Sequence, residues 1–400
     1  MPGVHAFSAL VSETSSRRAA DDLARCLREA FVEHPLKAVL VYATVNHDQS
    51  EVLRRLRGHV GPDVPLLGCS VQGVVVRGDV REGGFLIGAM GLGGVDLRIA
   101  PAIGREIQNA TRRKGEMLAH DIQSALGGDP QFTFLCWDPR NGVDVEELLG
   151  GMSQSIKTPV VGGGAGQPFG RIVKTYQYFG EEVTTRAAIA LGLAGPFSAE
   201  IGLAHGTSPT GVTMTVTRSE GTTLFEIDGR PAIDVWREVT GWKEHEVNDQ
   251  DYLTSWAAGI EYKLRNPDGT ETASHLVRMA IAFDVESGAL IMPTAVPSGA
   301  RIVLHHRTTQ AMTDGTVAMG RELAERTRGM RPWAALGFEC CARMSPFLGE
   351  RGALVENLGL QDVVAPDAPW LGMMAWGEAA PVYGAPRFLN FSYPLVVLAA

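Results

Sequence analysis

Cysteine is scarce in this chain, with five in 400 residues. The number is odd, no C-x-x-C spacing occurs, and the neighbours Cys340 and Cys341 could bridge only with strain. Neither a disulfide framework nor a metal site is expected, and reduced cysteines of a cytoplasmic protein are. Long apolar runs are missing too: no segment approaches the roughly 20 residues of a membrane helix. The opening MPGVHAFSALVSETSSRRAADD lacks a charged stretch followed by a long apolar one, so no secretory leader is expected. Aromatic residues make up 7 % of the chain and no basic stripe interleaves with them. With a net charge of −9 spread thinly, nucleic acid is excluded as an expected partner. The bulk composition, 45 % hydrophobic and 20 % charged, is that of a folded globular protein with room for two or three domains.

Glycine, in contrast, is plentiful at 47 residues, and it is patterned. Residues 65–73 read PLLGCSVQG, 159–167 read PVVGGGAGQ and 369–377 read PWLGMMAWG. Ahead of each stop stands the same series: an apolar run (KAVLVYATVN, FTFLCWD, AALGFECCARM), then a helical stretch (QSEVLRRLRGHV, VDVEELLGGMSQSI, ERGALVENLGL). Tyr42 and Gly68 are 26 positions apart, as are Cys136 and Gly162. Apolar residues recur at helical spacing in Val52, Leu53 and Leu56, and in Val145, Leu148 and Leu149. Asp48 or Ser50 and Asp144 are expected N-caps. Strand, helix and strand within so few residues predict a parallel pair with a right-handed crossover, and the runs lack polar alternation because both faces are covered. Glycine-turned β-ribbons follow at 71–99, at 171–204 and in RFLNFSYPLVVLA. The expected fold is therefore a mixed α/β one, with sheets built from repeated strand-helix-strand plus ribbon units.

The middle of the chain differs. VTMTVT and TLFEI read as strands, Pro231 suits the first position of a helix PAIDVWREVTG, and 275–306 reads as a three-strand meander. A helix is expected from Thr316 to Arg328. The cut between two modules is expected near 210–222, giving 25–222 and 223–400.

These stretches, together with VTRSEGTTLFEIDGRPAIDVWREVTG and the closing WGEAAPVYGAPRFLNFSYPLVVLA, resemble FIST proteins, which pair an N-terminal and a C-terminal FIST module. The resemblance implies a sensory protein that binds a small ligand, amino-acid-like or another polar metabolite, and signals to a separate partner. A haem-binding nitric-oxide sensor acting on a histidine kinase is the alternative it implies. The chain departs from the family's usual pattern at Gln72, Gly73 and Val74, and at Phe391 and Ser392.

The ligand-binding candidates are the stops Gly68, Cys69, Ser70, Gly162, Gly163 and Gly164, whose bare peptide N–H groups could cradle a ligand at strand C-termini. Close packing is their structural alternative. Glu378 and Asn390, polar among apolar neighbours, could hold an ammonium or hydroxyl, Arg387 a carboxylate, and Trp376 and Tyr383 an apolar wall. GCSVQG is one residue too long for a nucleophile elbow, and GGGAGQ has neither the Rossmann glycine nor a P-loop lysine. A thiol enzyme using Cys69 or Cys340 remains as a further alternative. Haem would need a histidine, for which His205 and His275 are the candidates.

Overall fold

The computed structural model describes residues 3–140, 143–168, 174–242, 255–265, 271–343 and 347–400. The first repeat runs β1 (His5–Ser12), α1 (Ser16–Ala30), β2 (Leu36–Ala43), α2 (Gln49–Val60), β3 (Leu66–Ser70), the ribbon β4 (Gly73–Val76) and β5 (Asp79–Glu82), then β6 (Leu86–Gly93). The second repeats that order as β7 (Arg98–Arg105), α3 (Thr111–Leu126), β8 (Phe132–Trp137), α4 (Val145–Met152), β9 (Val160–Gly164), β10 (Gln177–Phe179), β11 (Glu182–Thr184) and β12 (Ala187–Ala194). Of the second stretch read as ribbon, residues 171–173 lie outside the described residues.

In the third repeat an insert separates the first strand from its helix. Strand β13 (Ser198–His205) is followed by β14 (Thr207–Glu220), β15 (Thr223–Ile227), β16 (Arg230–Pro231), α5 (Ala232–Thr240), β17 (Trp256–Arg265), β18 (Glu271–Arg278), β19 (Ala282–Asp284), β20 (Ala289–Ile291) and β21 (Arg301–Arg307). The repeat then resumes with α6 (Thr309–Arg326), β22 (Pro332–Cys340), α7 (Gly349–Val364), β23 (Trp370–Ala375), the ribbon β24 (Glu378–Val382) and β25 (Ala385–Leu389), and β26 (Ser392–Ala399).

The parallel pairs are β2 with β3, β8 with β9, and β22 with β23, as the three spellings required. Asp48 and Asp144 cap their helices through their side chains. Each sheet has six strands, and its last two are borrowed. The orders are β1-β6-β2-β3-β10-β11, β7-β12-β8-β9-β24-β25 and β13-β26-β22-β23-β4-β5. Ribbon β4–β5 thus completes the third repeat's sheet, β10–β11 the first's and β24–β25 the second's.

Successive side chains of a strand face opposite ways, and here both ways are apolar. In β2, Ala38, Leu40 and Tyr42 enter a core shared by all three sheets, while Val39, Val41 and Ala43 meet α1 and α2. In β8, Phe132, Phe134 and Cys136 face the shared core and Leu135 and Trp137 face α3 and α4.

The insert forms a second layer with the order β18-β17-β21-β14-β15-β20-β19 and its own core around Trp236, Trp242 and Leu304. Residues 221 and 222, where the module cut was expected, form the turn between β14 and β15 of this layer. Three local expectations are corrected. Pro231 is the N-cap of α5 rather than its first helical residue, because it pairs with Glu226 as part of β16. Helix α6 begins at Thr309, earlier than expected, with the Thr308 side chain accepting from Ala311 N. The meander is divided: β18 pairs with β17, whereas β19 and β20 pair with each other beside β15.

Gly68 has φ +149°, and a Cβ on it would lie 1.9 Å from the Val41 carbonyl oxygen. Gly68→Ala is expected to cost about 3 kcal/mol. On α7, a Cβ at Gly359 meets nothing within 4 Å, so Gly359→Ala should stabilise by about 0.5–1 kcal/mol. Urea unfolding of the two variants gives shifts of opposite sign.

Candidate functional site

The stops do converge, but they close on one another. Gly166 N donates to Ser70 O (2.8 Å), Ser70 Oγ to Gly166 O (2.9 Å) and Ser70 N to Tyr176 O (2.8 Å). Gly164 N donates to Gly377 O (2.9 Å) and Trp376 N to Gly164 O (3.0 Å). Residues Gly68, Cys69 and Ser70 and Gly162 to Gly164 are all buried. Added Cβ atoms would sit 1.7 Å from Leu135 O at Gly162, 2.6 Å from Ala375 Cβ at Gly163 and 2.2 Å from Trp376 O at Gly164. The expected cradle is filled by protein: absent side chains let three repeats touch backbone to backbone. Cys69 is fully buried, and burial pushes its thiol well above its ordinary pKa, which disqualifies it as a nucleophile. Trp376 belongs to the same junction, where its Nε1 donates to Gln72 Oε1 (3.2 Å).

Room for a ligand lies to the side, where the first and third repeats leave a notch between the end of the first strand and the repeat's own ribbon. The first notch, between Ser12, Asp79 to Gly84 and Leu86, holds about 540 Å³ and is flanked by Glu350, Arg351 and Leu354. At the corresponding place in the second repeat stand ion pairs: Arg105 chelates Glu182, and Arg186 pairs with Glu106 at 3.5 Å. The third-repeat notch holds about 400 Å³ between the end of β13 (Ile201, Leu203, His205), the ribbon (Pro381 to Tyr383) and the strand link Leu389 to Ser392. Here the insert forms a further wall with Tyr262, Ser274, His275, Leu276 and Val277.

A buried clamp holds that wall. Arg278, 1 % exposed, donates through Nη2 to Glu146 Oε1 (2.6 Å) and through Nε to Thr294 Oγ1 (3.1 Å), with its guanidinium 5.1 Å from the Phe388 ring centroid. Glu146 also accepts from Phe388 N (3.0 Å) and pairs with Arg387 at 3.6 Å. At the tip of the ribbon, Tyr383 adopts φ +53°, which brings its hydroxyl to 3.2 Å from Ser274 Oγ.

Polar groups converge on the pocket from beneath. Asn390 is buried, and its Oδ1 accepts from Met279 N (3.3 Å). Ser392 donates from Oγ (2.8 Å) and N (3.2 Å) to Glu378 Oε2. Burial, then the neighbouring Cys340 sulfur, pushes the Glu378 carboxyl well above its ordinary pKa. Cys340 itself is lowered to about 6, by Cys341, by the Arg307 guanidinium and by the N–H groups of Ala342 and Phe391. Arg307 lies between the rings of Phe347 and Phe391, at 4.5 and 4.3 Å. Burial lowers its pKa to about 10.

Of the sequence-derived candidates, His205, His275 and Asn390 share one pocket, Glu378 underlies it, and Arg387 stands beside it, its charge bearing on the Tyr262 phenol. The six stop residues and Trp376 lie elsewhere. Thr207, His305, Ser274 and Tyr262 were missed, since only the folding of the insert brings them there. His305 and His306 do face opposite ways, as alternation predicts: His305 is buried, while His306 lies tilted against Trp256, with ring centroids 4.5 Å apart.

Haem does not fit these residues. The pocket lining has no lysine or arginine to meet two propionates and carries the Glu322 carboxylate instead. Among the described residues no group of three or more His, Cys, Asp or Glu side chains is arranged to hold a metal ion.

The model of the FIST N domain matches residues 37–230 and that of the FIST C domain matches residues 232–381. The chain belongs to the FIST family. FIST domains are associated with sensory signalling and small-ligand binding. An uncharacterized protein of Methanocaldococcus jannaschii is 27 % identical over 269 residues, which are 64 % of this chain and 50 % of that protein. The chain therefore spans half the length of this curated relative. Among solved structures, the chain is similar to cyanuric acid hydrolase from A. caulinodans, at 10 % identity over 99 % of both chains with a TM-score of 0.36. It is also similar to PurLQS from Thermotoga maritima, at 11 % identity over 99 % of this chain and 72 % of that one, with a TM-score of 0.25. No helix among the described residues is long and apolar enough to cross a membrane.

Glu378 yields a pH test. Its folded pKa lies above the ordinary 4.5, so unfolding releases a proton and the fold loses stability as pH rises past 4.5. Glu378→Gln, which cannot ionise, should show a higher urea midpoint than the wild type above pH 6. The two midpoints should converge near pH 4.5, and parallel profiles would refute the assignment.

Proposed function

We propose that this FIST protein is a cytoplasmic receptor whose third-repeat notch binds a small polar ligand, amino-acid-like or a related metabolite, and that it signals to a separate partner such as a histidine kinase. One observation carries the reading: of the notches beside the ribbons of the first and third repeats, only the third has an entire inserted sheet as an added wall. That sheet contributes Tyr262, Ser274 and His275, and the first strand of the repeat contributes His205. A volume of about 400 Å³ suits a small molecule, and apolar walls with a few convergent polar groups are the usual make-up of such sites. Glu322 on the lining is a partner for an ammonium group. Five free cysteines support a reducing compartment.

The pocket's walls come from bodies that are separate in the chain, which gives the ligand a means of signalling. A guest touching both the ribbon and the insert favours the arrangement in which they are closed on each other, and its differential affinity sets how far that equilibrium moves.

A thermal-shift screen of the amino acids and small polar metabolites tests this. A ligand at about a hundred times its Kd should stabilise the protein by about 2.7 kcal/mol, a shift of several degrees. Leu203→Trp, which fills the pocket, should abolish that shift while the unliganded variant stays folded by circular dichroism. A screen without hits, or hits equally strong on the filled variant, would remove the pocket as the receptor site.

A further inference from the structure

The two histidines of the pocket are joined behind its wall. Thr207 Oγ1 lies 3.3 Å from His205 Nδ1 and 3.2 Å from His305 Nδ1, and His305 Nε2 lies 3.0 Å from His275 Nδ1. The line runs from the core strand β13 through β14 and β21 of the insert to β18. Thr207 and His305 are buried, 6 % and 3 % exposed. Burial, reinforced by the imidazoles of His275 and His205, pushes the His305 pKa down to about 4. His205 lines the pocket and is surface-exposed, yet the protein packed around it also lowers its pKa, opposed by a hydrogen bond to the Thr207 backbone and helped by the Arg343 charge. Burial thus favours the uncharged form of His305 and His205.

A neutral imidazole has one N–H and one bare nitrogen, and a hydroxyl has one hydrogen. When all three rings are neutral, they and the hydroxyl carry four hydrogens, and the line has three links, each of which consumes one. One hydrogen is left over, and it must emerge from one end. If His205 Nδ1 donates to Thr207, then Thr207 donates to His305, His305 Nε2 donates to His275, and His275 Nε2 presents an N–H to the pocket. His205 Nε2 is then a bare acceptor. Reversing every link exchanges the two ends, so as long as Thr207 donates along the line one end donates and the other accepts.

We infer that His205 and His275 together read a neutral donor–acceptor pair on the ligand, of the carboxamide class, one ring accepting its N–H and the other donating to its carbonyl. This rests on the third-repeat notch being the ligand site, and it narrows the class of guest. A carboxylate sets a lone pair against the bare nitrogen, and an ammonium sets an N–H against the ring N–H. Either mismatch leaves a desolvated polar group without a partner. The remaining lining agrees: the Asn390 oxygen is taken by Met279 N, so its NH₂ is the end left to donate, and Glu322 opposes an anionic guest.

Benzamide, benzoate and benzylamine, matched in shape and different in charge, test the inference on the full chain by titration. Benzamide should bind about tenfold or more tighter than either ion. In the benzamide complex, ¹⁵N spectra of histidine-labelled protein should show His205 and His275 as opposite Nε2 tautomers, with assignments from His205→Asn and His275→Asn. Thr207→Val cuts the line, so the preference should fall to about twofold while circular dichroism and Tm show the fold kept. The same tautomer at both ends, or equal affinity for the three probes, overturns the inference. If amino acids bind in the third-repeat notch while the probes show no preference, only this inference fails. If nothing binds there at all, the receptor reading fails with it.

Discussion

The whole structure depends on each ribbon pairing with a repeat other than its own. Glu378 and Ala379 of the third repeat pair with Gly163 and Gly162 of the second. Tyr178 of the second pairs with Gly68 of the first, and Val75 of the first with Gly372 of the third. The exchange closes a ring in which no repeat has a complete sheet of its own. It also sets the residues at the crossing points. Where one repeat's ribbon lies across another's strand end, backbones approach so closely that a Cβ has nowhere to go, and the glycine stops answer that demand. Their peptide groups are spent on holding the repeats together, which is why they have none left for a guest.

Closure of the ring determines where a guest can go. The strand tips are sealed, and the first and third repeats open instead beside their ribbons. A third-repeat notch open like the first would be a shallow surface feature. The insert changes that because Arg278 carries its charge into a buried position against Glu146 at the start of α4 and against the Phe388 ring. A buried ion pair of this kind adds little stability over an apolar contact, but removing one partner strands the other, so the docking geometry is strongly specified. Specified docking turns a surface notch into a pocket with fixed walls.

Much of the fold was legible in the sequence because the same local physics is spelled three times. The runs around Leu40, Leu135 and Leu336 are apolar on both faces, the caps Asp48 and Asp144 sit ahead of helical periodicity, and the stops follow at matching distances. What could not be read is whose sheet a ribbon joins. Val74 and Val75 alternate in the same way whichever partner they have, and only the ring as a whole decides. For the same reason the stops read equally well as a cradle or as packing, and the structure resolves that toward packing. Asn390 and Glu378 stood out as polar residues in apolar company, a signal that survives folding. Thr207 and His305 gave no such signal, since a threonine and a histidine at strand ends are ordinary until β14 and β21 are set side by side.

The internal repetition also supplies a comparison that needs no second protein. The register Val41–Gly68, Leu135–Gly162 and Gly337–Gly372 aligns the repeats, and two residues further on stand Ala43, Trp137 and Glu339. Two repeats fill that place with apolar packing. The third puts a fully buried carboxylate there, raised to about 7 by burial and tied to Arg343 and Asn357. The buried arginines among the described residues, Arg278, Arg307 and Arg343, all belong to the third repeat or its insert. Burying charge costs stability that the other two repeats show the fold does not need. A difference that costs stability, concentrated beneath and beside the third repeat's notch, is what a template specialised for recognition in one repeat would carry. Symmetry in this chain is the architecture, and the departures from it mark where the chemistry is.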